Sequence, residues 1–446
     1  MSSPPGAPGL PVAHLTEWGK NILREDAPQF EAEFMSKEEK RQASFPRCKL
    51  LTEVTHNASI ALASGDLKSA ASSIEKGEVV VAELQGEGGD EGLKEGLRRV
   101  GDLGRKVEEL MKVKCYHHFL RTGTLIPPSG CVGFSDEEYL VGAIGLVEEL
   151  ERYCIGRAIK RDKDSVVMAR DLTEELLAEL MKFDFRNGNL RRRYDGVKWG
   201  LRKLETILYE LAVTERDKEA DPPAKRLKPA GRIASEELAT IRARMVAFDE
   251  KRELVIKKCR DGQKAAKVAI YALHRGEEDK AAKLIDECHS CCTELLPVIE
   301  EEPGLRFGSF AAVLEEYAEA KLFATWLRER RVAPMAELTP CNATEYIGGL
   351  CDLTGELGRF AVARGTERDV ASVEKCLDTD LGILAGLLAL PLPPSVNKKL
   401  EPLKKSVSKL EAMLYELSLL QHGRQTSAAV KDEPPQPDNG LGSGDE

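Results

Sequence analysis

Lys203-Leu204-Glu205-Thr206-Ile207-Leu208-Tyr209-Glu210-Leu211 returns later in the chain as Lys409-Leu410-Glu411-Ala412-Met413-Leu414-Tyr415-Glu416-Leu417, an offset of 409 − 203 = 206 residues. In the first stretch Leu201, Leu204, Ile207, Leu208 and Leu211 fall on one side of a 3.6-residue helix, with Lys, Arg and Glu on the other. Leu403, Val407, Leu410, Leu414 and Leu417 do the same in the second. Neither an alternating strand pattern nor an Asn-Gly hairpin signal competes with this reading. The spacing predicts an all-α fold, and the recurrence predicts that the fold occurs twice.

Other matches extend the repeat in order. Glu39-Lys40-Arg41 with Cys48 recurs as Glu250-Lys251-Arg252 with Cys259, an offset of 259 − 48 = 211. Ala61-Leu62 with Gly65 and Ile74 recurs as Ala272-Leu273 with Gly276 and Ile285. Glu138-Tyr139 with Gly142, and Glu149-Leu150 with Arg152, match Glu345-Tyr346 with Gly349, and Glu356-Leu357 with Arg359, at 345 − 138 = 207. A repeat of about 190–200 residues is the size of a whole domain rather than a solenoid unit. The expectation is two tandem helical bundles of six or seven helices each, over 14–217 and 233–424. Residues 1–13 and 425–446, rich in Pro and Gly, are expected to be disordered. Residues 218–232 hold Pro222, Pro223 and Pro229 around Lys225-Arg226-Leu227-Lys228 and read as a linker, because proline blocks helix continuation. That basic core also resembles a short nuclear import signal, and a solvated linker explains it equally well.

The composition supports a packed chain. Of 446 residues 42% are hydrophobic and 31% charged, with only 5% aromatic, which favours helices built from Leu, Ala, Glu, Lys and Arg. The net charge of −10 argues against a generally basic nucleic-acid binder, though not against a local basic groove. The start of the chain lacks the basic-then-apolar plan of a secretory signal. The longest apolar run, Leu381 to Leu392, is well short of the roughly 20 residues that span a bilayer. Eleven cysteines without a signal peptide fit a reducing compartment, so the matches at Asn57 and Asn342 are not read as glycosylation sites. The expected location is the cytoplasm, with the nucleus added should the linker act as an import signal.

The residues that can carry chemistry cluster in the second copy. Glu316 and Glu319 lie three apart in one helical stretch, Asp352 and Glu356 four apart in the next, so each pair shares a helix face among leucines. Desolvated carboxylates need a cation, shared protons or water. Oxygen-only ligands suit Mg²⁺ or Mn²⁺ better than Zn²⁺, and an ion so held can activate water at a phosphodiester. Acidic pairs at these spacings also occur on solvated helix faces, so spacing alone leaves both readings open. The first copy places Glu109, Lys112, Gly145 and Glu149 at the four matching positions. It keeps two carboxylates and puts a lysine among them, so any metal site is expected in the second copy only.

These residues carry a resemblance. Leu190-Arg191-Arg192-Arg193-Tyr194-Asp195-Gly196-Val197-Lys198 with Lys203-Leu204-Glu205 is similar to the C-terminal helix of translin. Leu314 to Glu319, Asp352-Leu353-Thr354-Gly355-Glu356-Leu357, and Lys398-Lys399-Leu400 through Lys409 resemble translin-associated factor X, the other branch of the translin family. The resemblance covers about Glu17 to Gln421 apart from the linker. It implies an all-α fold and a closed, hollow oligomer that cleaves single-stranded RNA with Mg²⁺, in the activation of RNA silencing and the processing of small RNA or tRNA fragments. It also implies that Glu316, Glu319 and Asp352 hold the ion and the attacking water, with Glu356 as a fourth residue, ligand or general base, while the translin-like half is catalytically silent. The family's RNA-binding segment is rich in Arg and His. Here the matching stretch keeps Arg98, Arg99 and Arg105, but Val100 and Asp102 stand where histidines would be. Lys106, Lys112 and Lys114 could take over the phosphate contacts, since these need charge rather than one residue type.

Cys288-His289-Ser290-Cys291-Cys292 has no second Cys/His pair at zinc spacing. His117-His118 lies on an amphipathic stretch, where packing explains it, and no P-loop motif is present. The resemblance therefore implies a Mg²⁺-dependent endoribonuclease for single-stranded RNA, self-associating and without a membrane partner. A non-catalytic scaffold that binds single-stranded RNA or DNA is the alternative.

Overall fold

A computed structural model of the protein describes residues 15–86, 102–186, 188–214 and 231–429. Arg98, Arg99, the first fourteen residues, most of the linker with Lys225-Arg226-Leu227-Lys228, and the tail from residue 430 lie outside the described residues.

The described residues form helices and turns, as the periodicity predicts. The first copy contributes α1 (Ala27–Ser64), α2 (Leu67–Gly86), α3 (Leu103–Thr122), α4 (Asp136–Ile159), α5 (Lys163–Leu180) and α6 (Asn189–Thr214). The second contributes α7 (Ser235–His274), α8 (Glu278–Glu301), α9 (Ser309–Glu329), α10 (Ala343–Thr366), α11 (Val370–Leu388) and α12 (Leu400–Ala429), with a single turn at Pro394–Asn397. Thus α12 carries on through residues 425–429, expected to belong to the loose tail. Nothing in Gln425-Thr426-Ser427-Ala428-Ala429 breaks a helix, and the first following proline is Pro434.

Equivalent helices begin by equivalent devices. Ser135 and Glu138 form a capping box at the start of α4, and Asn342 and Glu345 form one at the start of α10. Each box satisfies two backbone donors that the first turn would otherwise leave unpaired. Behind the boxes the hydroxyl of Tyr139 donates to the carbonyl of Ile126 at 2.8 Å, and that of Tyr346 to the carbonyl of Ala333 at 2.8 Å. In each copy the fourth helix is central. α4 packs on α3, α5 and α6, and α10 packs on α9, α11 and α12. The cores hold fully buried Phe119, Met111 and Leu140 in one case and Trp326, Tyr346, Phe310 and Phe323 in the other. Burying each such side chain contributes roughly 1.5–3 kcal/mol.

The compact units differ from the sequence copies at their leading ends. Among the described residues one unit takes those within 37–254 and 298–305, the other those within 15–36, 255–297 and 306–429. Within the second unit, Phe30 of α1 packs its ring 5.6 Å from that of Tyr346, and Asp26 accepts from the amide of Met335 at 3.1 Å. Within the first, Ile241 of α7 joins the core that holds Tyr139, and Arg244 forms a bidentate pair with Asp136 at 2.6 and 2.7 Å. Ile241 is the repeat counterpart of Phe30 (241 − 30 = 211). Each long first helix therefore starts in one unit and ends in the other. The borders 14–217 and 233–424 follow the repeat, whereas packing exchanges the leading segments, because the same apolar stripe can complete either bundle.

Among the described residues no helix is long and apolar enough to cross a membrane. The eleven cysteines are free. His117 is buried, with its Nε2 3.2 Å from the carbonyl of Leu67, which is the packing role expected for it.

Candidate functional site

The site is built where α9 crosses α10. Gly349 lets the two helices approach: a Cβ there would lie 2.6 Å from the Cβ of Ala318 and 2.7 Å from the carbonyl oxygen of Glu315. That close crossing brings Glu316 and Glu319 opposite Asp352 and Glu356. All four line one cavity of about 590 Å³, together with Lys267 and Ile270 of α7, Arg359, and Ser406 of α12. The residues singled out by spacing are thus gathered in one place.

Three of the four have a basic partner that the sequence did not reveal. The Lys267 ammonium lies 3.0 Å from Glu316, and Lys399 lies 3.0 Å from Asp352 and 2.6 Å from Glu315. Glu356 is buried, 2.7 Å from Nε2 of His274 and 3.1 Å from Arg359. The ring of His274 rests against Phe323, centroids 4.8 Å apart, which fixes its plane. Glu319 alone of the four has no ion-pair partner among the described residues. Burial, then the neighbouring carboxylates of Asp352, Glu356 and Glu316, push its carboxyl up to about 8, against a smaller opposing effect of Arg359. Such a group can hold or release a proton near neutral pH.

Oxygen donors around an uncompensated acid are the chemistry a hard divalent cation satisfies, so the donor set fits Mg²⁺ or Mn²⁺. In their present rotamers, however, no three His, Cys, Asp or Glu side chains among the described residues are gathered closely enough to hold a metal ion. Lys267 and Lys399 stand where a cation would otherwise balance charge.

The same place in the first copy is closed. Lys112, at the position of Glu319, lies 3.3 Å from Glu149 and 3.7 Å from Glu148. Its stem covers Gly145, the counterpart of Asp352, so closely that a Cβ there would meet Lys112 Cδ at 2.9 Å. Lys106 pairs with Glu109 at 2.8 Å. Lys112 and Arg105 were candidates for phosphate contacts. Lys112 is engaged inside this acidic group, and Arg105 is exposed and pairs with Asp102 at 2.9 Å. Lys114 bonds to Glu78 and, at 2.7 Å, to the carbonyl of Gly130.

A family model described as the Translin family matches residues 97–215 and 250–421. The chain belongs to the translin family. It is 26% identical over 188 residues to the translin-associated protein X homolog of Schizosaccharomyces pombe, an alignment covering 37% of this chain and 80% of that protein. It is 31% identical over 84 residues to chicken (Gallus gallus) translin and 30% over 83 residues to human translin. Those alignments cover 19% of this chain and only 37% and 36% of the translins. Among solved structures it is similar to apo-NeC3PO, at 19% identity over 44% of this chain and all of that one, and to AfC3PO in complex with duplex RNA, at 19% over 41% of this chain and 97% of that one. Both have a TM-score of 0.38. As a translin-family chain with both kinds of relative, it is a tandem of a translin-like and a factor X-like half, and only the latter carries the four-carboxylate cavity.

Proposed function

We propose that this chain is a Mg²⁺-dependent endoribonuclease that cleaves single-stranded RNA in the cavity of its second half. The carrying observation is that Glu316, Glu319, Asp352 and Glu356 line one cavity, with Glu319 left without an ion-pair partner among the described residues. A divalent ion bound by these carboxylates would supply positive charge at the scissile phosphate and a more acidic water. The chain's own groups do the rest. Lys399 orients Asp352, while His274 and Arg359 orient Glu356. Glu316, Glu319 and Asp352 would hold the ion and the attacking water, and Glu356, a ligand or general base, would take that water's proton. Lys267 and Arg359, whose side chains are 65% and 71% exposed, draw the phosphate backbone to the rim.

We further propose a closed oligomer of this chain around its RNA, since Trp199, Tyr209, Val213 and Tyr415 remain exposed on α6 and α12. The proposed setting is RNA silencing or small RNA processing in the cytoplasm, with the nucleus added if the linker is read as an import signal.

The scaffold reading is favoured by one observation, the absence of a converged metal-ligand set among the described residues. End-labelled single-stranded RNA incubated with Mg²⁺ separates the two. Glu319→Ala and Asp352→Ala should each slow cleavage by about 10²–10⁴-fold with RNA binding retained. Cleavage by both variants at the parental rate would move the chemistry away from these carboxylates, and no cleavage by the parent would leave the scaffold.

A further inference from the structure

Beneath the carboxylates lies a second polar pair. Asp380 of α11 is fully buried, and its Oδ2 is 2.7 Å from the hydroxyl of Ser406, which lines the cavity. Ser406 Oγ also lies 3.2 Å from the carbonyl oxygen of Thr354. The other oxygen of Asp380, Oδ1, is buried without a hydrogen-bond partner. Leaving such an atom unpaired is unfavourable, and burial raises the carboxyl well above its usual range.

The fold does not require this arrangement. In the first copy Thr173 stands at the position of Asp380 (380 − 173 = 207) and Gly200 at that of Ser406 (406 − 200 = 206). Thr173 is buried and satisfied by the carbonyl of Ala169 at 2.9 Å. The side chain of Val147 fills the space over Gly200, where a Cβ would meet its Cγ1 at 2.4 Å. The half that lacks the four carboxylates thus also lacks the pair, and packs well without it.

The donor and acceptor count decides what Ser406 can offer. A serine hydroxyl has one proton and two lone pairs. If Asp380 is ionised, the Ser406 proton goes to Oδ2 and both lone pairs stay open. If Asp380 is protonated, it donates to Oγ, the Ser406 proton turns to the Thr354 carbonyl, and one lone pair stays open. In either state Ser406, which lines the cavity, keeps at least one acceptor lone pair. A non-bridging phosphate oxygen has no proton to give, whereas a ribose 2′-hydroxyl has.

We propose that Ser406, held by Asp380, accepts a hydrogen bond from the 2′-hydroxyl of a bound strand and so selects ribonucleotides over deoxyribonucleotides. This rests on the reading of the cavity as a nucleic-acid site, and Ser406 is its specificity-determining residue, with Asp380 positioning it.

The test is equilibrium binding of labelled single-stranded RNA and of DNA of the same sequence to the full chain, without Mg²⁺ so that cleavage plays no part. The parent should prefer RNA, and Ser406→Ala should narrow the RNA-to-DNA affinity ratio by about three- to tenfold, the worth of one hydrogen bond. Ser406→Thr, which keeps the hydroxyl, should restore it. A ratio is insensitive to the fraction of folded variant. The proposal is overturned if the parent shows no preference, or if Ser406→Ala leaves the ratio unchanged or weakens both strands alike. Discrimination through Ser406 by a chain that cleaves neither strand with Mg²⁺ would sink the nuclease reading and leave this one standing. RNA cleavage with a ratio indifferent to Ser406→Ala would do the reverse.

Discussion

The two halves carry the same frame around opposite interiors. Arg193 clamps Glu108 at 2.8 Å in one half, and Lys399 clamps Glu315 at 2.6 Å at the same place in the other. Arg152 holds Glu149 at 3.0 Å, and Arg359 holds Glu356 at 3.1 Å. Inside that shared frame the first half has Lys112 against Gly145, and the second has Glu319 against Asp352. A single lysine ends the carboxylate repulsion locally, with no ligand. The second half leaves that repulsion in place, and burial together with the repulsion pushes the Glu319 carboxyl up to about 8. The contrast teaches that the acidic cavity is not a requirement of the fold, since the fold is also built without it.

Glu319→Lys breaks this contrast most severely, because it installs the first half's solution in the second. RNA cleavage should fall by at least about 100-fold while the melting temperature holds or rises, since an ion pair replaces like charges. The reciprocal Lys112→Glu should lower stability by about 1–3 kcal/mol in thermal unfolding, because it adds a carboxylate beside Glu149 and removes the cation. If Glu319→Lys destabilises and Lys112→Glu does not, the charge account of the two interiors fails.

Much of this contrast was legible in the sequence. The four carboxylates could be picked out because each pair lies within one turn of one helix, and position-by-position comparison of the copies exposed Lys112 and Gly145. Their partners could not be read. Glu356 and His274 are 82 residues apart, and Asp352 and Lys399 are 47 apart, beyond any helical periodicity. Lys112 read as a phosphate contact because sequence shows its charge but not the Glu149 beside it. Asp380 and Ser406 sit on separate helices, and each looks ordinary alone. The repeat also could not show that α1 and α7 begin in one unit and end in the other, because an apolar stripe records which face is buried and not which bundle buries it.

The capping boxes sharpen the comparison at intermediate scale. In the second half Glu345 closes the box on Asn342 and also meets Arg306 at 2.6 Å. Burial outweighs that arginine and pushes its carboxyl up to about 7. A carboxyl whose folded value is raised stays protonated in the folded chain over a range where the unfolded chain has already lost the proton. Its stabilising contribution is full below the unfolded value, near 4.5, and is lost as pH rises through about 7. Glu345→Gln keeps the capping bonds and has no proton to lose, so it should flatten the decline of melting temperature between pH 4.5 and 7 relative to the parent. The gain at pH 8 should be about 1–3 kcal/mol. Parallel pH profiles for parent and variant would mean that Arg306 holds Glu345 ionised throughout.

The smallest expected effect tests whether the frame is as neutral as it looks. Arg193 and Lys399 occupy matching positions (399 − 193 = 206) and hold matching glutamates, so in stability Arg193→Ala and Lys399→Ala should each cost about 1 kcal/mol or less, as partly exposed pairs do. Their consequences for the cavity differ. Arg193 bonds to Glu108 and Asn189, whereas Lys399 also holds Asp352 at 3.0 Å and the carbonyl of Gly348 at 3.3 Å. Arg193→Ala should therefore leave RNA cleavage within about twofold of the parent, and Lys399→Ala should lower it several-fold, with Lys399→Arg between the two. Equal loss in both variants would show that the clamp acts through the stability of the frame. Loss confined to Lys399→Ala would show that the ion pair shared by the two halves also aims a carboxylate in the half that has one to aim.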